Sequence, residues 1–359
     1  MQKPASDGAD RLRTVRPGLA FVLAVVVSAC ADSPTDIVSP TPETPTAAFQ
    51  GRIAHGVFLG DVESESHRIR SSIENFSGLA GSRPAMVKTF HRLDDDFGPA
   101  GWAGRTLREV DAAGAVSLVA LDLRWSDTPP EKLLAAIAEG HADTAIRTLA
   151  RQLAAFGAPV LIEPGWEMNG DWAYPWQGVH NGGDGAPAVF AAAWRRLVDV
   201  VRSEGAVNAL WVFSPSVGNP VAGRGAGNSH WNWYGYYYPG DAWVDYLGLH
   251  GFNAPSIWHT PFLTFHELFD SLSSDRMLSD MTARFPGKGI IISEFASEEG
   301  APGAKAEWIR NAYSIMDAHP AITAAIWFHM DKETDWRVNS SSSSLDAFRL
   351  ATARPAGSS

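Results

Sequence analysis

Two glutamates stand among neighbours that could put them to chemical use. Glu167 lies in Trp166-Glu167-Met168-Asn169-Gly170-Asp171-Trp172, and Glu294 follows the apolar run Gly289-Ile290-Ile291-Ile292-Ser293 and precedes Phe295. Flanked by Trp166, Met168 and Trp172, Glu167 has poor access to water, which favours the protonated form of a carboxyl. A carboxyl that keeps its proton beside one that stays ionised forms an acid and nucleophile pair. At a separation of about 5 Å such a pair cleaves a glycosidic bond with retention of configuration, one group attacking the sugar carbon while the other protonates the leaving oxygen. Glu163 competes with Glu167 for the acid role, because strand alternation could turn it into the same mouth. Glu298 and Glu299 sit in a polar Ser297-Glu298-Glu299-Gly300 stretch and read as surface charges.

Both glutamates need a scaffold that brings distant segments together. Eight short β-branched or aromatic runs alternate with helical patterns: Gly56–Leu59, Ala85–Phe90, Ser117–Leu123, Pro159–Glu163, Ala209–Ser214, Tyr246–His250, Gly289–Glu294 and Ala324–His329. Helices are predicted over Thr144–Ala155, Ala188–Ser203, Phe265–Ala283 and Ala304–Ala318, from apolar residues at three- and four-residue spacing. No Gly-rich phosphate turn follows the first strand, which argues against a doubly wound nucleotide-binding sheet. The expectation is an α/β fold, a closed (β/α)8 TIM barrel, with reacting groups at the C-terminal strand ends. Glu167 and Glu294 then lie at the mouths of strands four and seven, facing each other.

Other side chains near these exits have two readings each. Asn169 could bind a sugar hydroxyl or close the Asn169-Gly170 turn. His91, after strand two, could bind a hydroxyl or be a rim histidine, and His250 could orient Glu294 or be structural. The fourteen tryptophans include Trp166, Trp172, Trp176, Trp231, Trp233, Trp258, Trp327 and Trp336 near predicted strand ends, where pyranose faces could pack on their rings. Metal and other nucleophile chemistries fail on spacing: His266-Glu267 lacks the second His of a metalloprotease helix, and no Gly-x-Ser-x-Gly elbow is present. No metal or other cofactor is expected.

The chain's start has a different character. Arg11, Arg13 and Arg16 precede the apolar run 19–27, which ends in Val27-Ser28-Ala29-Cys30. The run is too short to cross a bilayer comfortably, and a small-residue site closing on cysteine resembles the lipobox of bacterial lipoproteins. The expectation is a signal peptide over 1–29, a lipidated Cys30, a Pro/Ser/Thr-rich tether over 30–48 and a catalytic domain over 49–359. Such a protein is exported and anchored to the cell envelope. Cys30 is the only cysteine, so a disulfide framework is excluded. The formal charge of −11 becomes −13 once Lys3, Arg11, Arg13, Arg16, Asp7 and Asp10 leave with the leader. That acidity, without basic clusters, argues against nucleic acid as a partner. A monomer acting on a polysaccharide is expected, and the Ser340–Ser344 run reads as a flexible loop.

Several stretches in order give the chain a family likeness. Trp166 to Trp172 followed by Tyr174-Pro175-Trp176 resembles the acid/base segment of glycoside hydrolase family 26. Trp211-Val212-Phe213-Ser214-Pro215, Tyr238-Pro239-Gly240-Asp241, Ile292-Ser293-Glu294-Phe295 and Trp327-Phe328 resemble its fifth, sixth, seventh and eighth strand regions. The likeness covers about residues 50–345 and implies a retaining endo-β-glycanase with Glu167 as acid/base and Glu294 as nucleophile. β-1,4-Mannan is the first substrate it implies, with mixed-linkage β-glucan and β-1,3-xylan as alternatives. It also implies a sugar platform at Trp327, beside Trp172 and Trp176. The chain has Trp166 where many mannan-cleaving members have His, Glu163 where they have Arg, and His250-Gly251-Phe252-Asn253 where Asp-Gly-Tyr-Asn is more usual. A glycan-binding lipoprotein without catalysis is the reading from another class, and a loop at Val221–Trp233 is where exo action would be built.

Overall fold

The apolar runs form parallel strands β1 (Ala54–Phe58), β2 (Met86–Arg92), β3 (Val116–Asp122), β4 (Val160–Pro164), β5 (Ala209–Phe213), β6 (Tyr246–Asn253), β7 (Ile290–Ser297) and β8 (Ile322–Phe328). The computed structural model describes residues 53–60, 68–125, 132–218 and 230–353. Cys30, the leader, the tether and residues 221–229 of the proposed exo loop lie outside the described residues. Each strand pairs with the next in sequence and β8 pairs with β1, closing the barrel. Every pairing is parallel, so each connection crosses over outside the barrel and places its helices around it.

The helices are α1 (Ile69–Ala80), α2 (Trp102–Ala112), α3 (Leu133–Ala138), α4 (Asp143–Phe156), α5 (Ala186–Ser203), α6 (Pro255–Trp258), α7 (Met277–Arg284), α8 (Ala304–Ala318) and α9 (Ser342–Thr352). Three of the four expected helices are present as α4, α5 and α8. The fourth, Phe265–Ala283, is broken into a π-helical turn at Glu267–Ser271, a short 3-10 turn and α7, with Asp275 and Arg276 at positive φ. Polar side chains compete for the backbone there: Ser273 Oγ accepts from Met277 N at 3.0 Å, and the Asp270 carboxylate accepts from Ser279 N at 3.0 Å. The serine run is also corrected. Ser341 caps α9, its Oγ accepting from Ser344 N, and Ser344 is fully buried.

Strand alternation divides the side chains into two populations. Met86, Leu118, Leu161, Leu210, Ile291 and Ala324 point inward and fill the barrel as one apolar layer. Gly56 belongs to that layer because a Cβ there would lie 2.4 Å from Ile326 Cδ1. Outward residues pack against the helices, where Phe295, Trp308, Trp327 and Phe348 form one aromatic cluster. Full burial stabilises each such side chain by about 1.5–3 kcal/mol. Packed below and around, the mouth above the inner layer is a rigid platform for polar groups.

Candidate active site

Strand parity brings three ionisable groups into the mouth. On β2, Met86 faces inward, so Lys88 does too and carries its ammonium into the barrel. On β4, Leu161 sets the same phase, and Glu163 follows it inward, completely buried. Their charges meet at 2.7 Å. On β6, Tyr246, Gly248 and His250 share the inward face. A Cβ on Gly248 would overlap Ser214 Oγ, so glycine leaves room below His250 for the Ser214–Ser293 hydroxyl pair, 3.1 Å apart. His250 Nε2 lies 2.9 Å from Glu163 Oε1.

Glu167 and Glu294 reach the same point by two irregular devices. At Glu167 the chain leaves β4 through Gly165 at φ 56° and takes φ 53° at Glu167 itself, a left-handed conformation that costs a non-glycine residue about 1 kcal/mol or more. Hydrogen bonds hold it there: Glu167 N donates to Ser214 O at 2.8 Å, and Glu167 O accepts from Gly170 N and Gln177 Nε2. At Glu294 the device is a β-bulge. Gly248 and His250 are two positions apart on β6 while their partners Ile291 and Glu294 are three positions apart on β7, and a matching shift occurs against β8. The extra residue turns Ser293 and Glu294 inward in succession and returns Phe295 to the outer face.

The result is a compact acid–base cluster. His250 Nδ1 lies 3.0 Å from Glu167 Oε1 and 3.1 Å from Glu294 Oε2. One oxygen of each glutamate and the His250 nitrogen all lie within 4.8 Å of one another. Lys88 Nζ is 3.9 Å from Glu294 Oε2 and donates to Ser293 O at 3.2 Å. The second Glu294 oxygen, Oε1, is buried without a hydrogen bond.

Charge in this enclosure is set by competition between burial and pairing. Burial alone would raise the Glu163 carboxyl, yet the Lys88 and His250 charges outweigh it and bring it down to about 2. For His250, burial and Lys88 both oppose the charged ring, and contacts with Glu163 and Glu167 prevail, holding it well above the ordinary histidine value. An imidazolium offers two N–H donors and no lone pair, so Glu167, His250 and Glu294 form a proton-handling group and not a ready ligand set for a cation. Tyr174 joins from the loop after β4, its hydroxyl kept protonated by burial and by facing Glu167 and Glu294.

Other expected positions fall differently. His91 alternates with Phe90 and points outward, tilted against Trp102 with ring centroids 4.2 Å apart. Trp327 likewise faces the helices, fully buried, and donates to Trp336 O at 2.8 Å; Phe328 takes the inward place and stacks on Phe58. Trp176 is 1% exposed and donates to Trp166 O at 2.7 Å, so its face is not open to a ligand. Both amide atoms of Asn169 are engaged with the Ser216 backbone, at 2.8 and 2.9 Å, which makes it a loop tie. Trp166 is largely covered, in edge contact with Phe90 and Tyr174. Trp172 is 43% exposed and Trp258 48%, the two open indoles beside the mouth loops. Glu298 is no surface charge, since it is buried and accepts from Ser256 N, and Glu299 accepts from Ser340 and Ser344. Lys88 was missed, though a lysine inside an apolar strand and a glutamate inside another are a matched signal of a buried pair.

Comparison with known proteins agrees with this geometry. The sequence profile of glycosyl hydrolase family 26 matches residues 132–310, a stretch that contains Glu163, Glu167, His250 and Glu294. Endoglucanase H of Acetivibrio thermocellus is 34% identical over 299 residues, covering 82% of this chain and 30% of that protein. This chain therefore spans under a third of that relative's length. Among solved structures, a GH26 β-mannanase from Bacteroides ovatus superposes with a TM-score of 0.54 at 16% identity, over 84% of this chain and 88% of the other. An endo-β-1,4-mannanase from Thermotoga petrophila gives 0.56 at 12% identity, over 84% and 76%. At such identities these two show the barrel alone. Profile and relative together, on a closed eight-stranded barrel, establish that the chain belongs to glycosyl hydrolase family 26.

Proposed function

We propose that the protein is a retaining endo-β-glycanase in which Glu294 attacks the anomeric carbon and Glu167 protonates the departing oxygen, then draws a proton from the water that releases the sugar. The observation that carries this is the approach of Glu167 and Glu294 to within 4.8 Å, in the range of about 5 Å used for retention. Glu294 Oε1, buried and unbonded, is the attacking oxygen, because Oε2 is occupied by His250. Burial of the mouth strengthens each of these interactions by excluding water.

β-Glucan is the first substrate class, with β-1,4-mannan second. The 34% relative is named an endoglucanase, and the positions where this chain carries Trp166, Glu163 and Phe252 set it apart from the His, Arg and Tyr pattern of mannan-cleaving members. Trp172 supplies an accessible face for a sugar ring next to Glu167. The test is reducing-end release from purified mixed-linkage β-glucan, β-1,4-glucan and β-1,4-mannan. Faster cleavage of mannan reverses the order, and cleavage of none by wild-type protein favours glycan binding without catalysis.

We also propose that Cys30 carries a lipid that anchors the enzyme to the cell envelope, supported by the basic and apolar leader that precedes it. A Cys30→Ser variant recovered in the membrane fraction as completely as wild type overturns the anchor.

A further inference from the structure

We propose that His250, held by Glu163 and Lys88, is a positioning residue whose single Nδ1–H bond passes from Glu294 to Glu167 as negative charge passes between them. The inference rests on the roles of the two glutamates given above. His250 Nδ1 carries one proton and lies 3.0 Å from Glu167 Oε1, in hydrogen-bond geometry, and 3.1 Å from Glu294 Oε2, so a small change of angle shifts the bond from one to the other. Its ring has no freedom to follow either group. Nε2, to which we assign the second proton, lies 2.9 Å from Glu163 Oε1 and 3.2 Å from Lys88 Nζ, His250 N donates to Pro215 O, and His250 O accepts from Val217 N. The bond must change partner without motion of the ring.

The chemistry gives it reason to do so. The roles given above start with Glu294 as the carboxylate and Glu167 as the acid. Glu294 Oε1 bonds to C1 as the C1–O bond to the leaving group breaks, and the Glu167 proton goes to that oxygen. Glu294 is then a neutral ester and Glu167 a carboxylate. In the second half water adds to C1, its proton returns to Glu167, and Glu294 leaves as carboxylate. The pocket charge is unchanged throughout. Lys88 and His250 supply two positive charges, and Glu163 with whichever of Glu294 and Glu167 is ionised supplies two negative charges. A buried enclosure tolerates that balanced set far better than any state with one charge unpaired. The segment after β5 bridges the His250 backbone at Ser216; Lys88, Glu163, Glu167 and Glu294 are the charged groups at the ring, and Tyr174 faces the two glutamates.

A direct test uses full-length protein with ¹⁵N-labelled histidine. In the free enzyme the His250 ring shows two N–H signals at pH values where ordinary histidines have lost one. Trapping Glu294 with the 2-deoxy-2-fluoro glycosyl fluoride of the cleaved sugar moves the Nδ1–H signal while the Nε2–H signal stays. A ring with one proton, or an Nδ1–H signal unmoved by trapping, overturns the proposal. The kinetic counterpart is His250→Gln, expected to lower kcat by roughly 10²–10³-fold with KM within about threefold. It removes a cation between the glutamates, so both limbs of the kcat/KM profile move to higher pH; limbs that stay in place with only a loss of stability point to packing alone. If this variant does not fold, Glu163→Gln keeps the shape and makes the doubly protonated ring titrate at lower pH than in wild type. Wild-type protein inert on every β-linked polymer defeats the hydrolase reading, whereas an active enzyme with a singly protonated His250 defeats this inference alone.

Discussion

The two faces of the same strands hold different kinds of order. Inward at the mouth, Lys88, Glu163, His250 and Glu294 hold one another by charge. Outward, a single residue away on β7 and β8, Phe295 and Trp327 pack edge to face with centroids 5.1 Å apart. Desolvating the inward groups costs about as much as pairing them returns, so their arrangement contributes chemistry more than stability. The outward cluster contributes stability without touching the mouth. On the roles proposed for Glu167 and Glu294, function and folding are thus separated by the thickness of a strand.

Four experiments break or sharpen that separation. Glu294→Ala should lose at least about 10³-fold in turnover while the protein stays folded by circular dichroism; residual activity at wild-type level places the chemistry elsewhere. Trp327→Ala should do the reverse, losing about 3–5 kcal/mol in denaturant unfolding with kcat of the folded fraction within about threefold. A large drop in kcat instead would restore Trp327 to the sugar site. Third, pH should act through the inward cluster. Glu163 is depressed to about 2 from an ordinary 4.5, so its contribution is full above 4.5 and is lost as pH falls toward 2. His250 is raised, so its contribution is full below 6.5 and is lost as pH climbs through its folded-state value. Melting temperatures across pH should therefore crest between these limits, and Glu163→Gln should flatten the acid side. Smallest is Trp172→Ala, expected to raise KM about threefold to tenfold with little change in kcat or stability.

What was legible in the sequence follows the same division. Apolar runs and their spacing located all eight strands, because burial on both faces of a parallel barrel leaves a strong compositional mark. Strand exits and neighbours single out Glu167 and Glu294, and the fold brings the two together. Phase was harder. His91 and Trp327 sit at strand ends, and an apolar run does not say which of its residues faces inward; that depends on Met86 and Ala324 meeting the inner layer. The bulge on β7 arises from pairing with β6 and β8, so nothing local announces it. The Lys88 to Glu163 contact joins residues distant in sequence, and only the buried setting of both charges hinted at it.

That bulge makes the enzyme sensitive to residue count as well as residue type. Removing one position at Ser293 would restore regular alternation on β7 and leave Glu294 facing inward in the place of Ser293, beside Ser214 and about 3.3 Å lower along the strand. A one-codon deletion is therefore expected to draw Glu294 away from Glu167 and His250 while the strand keeps its alternation.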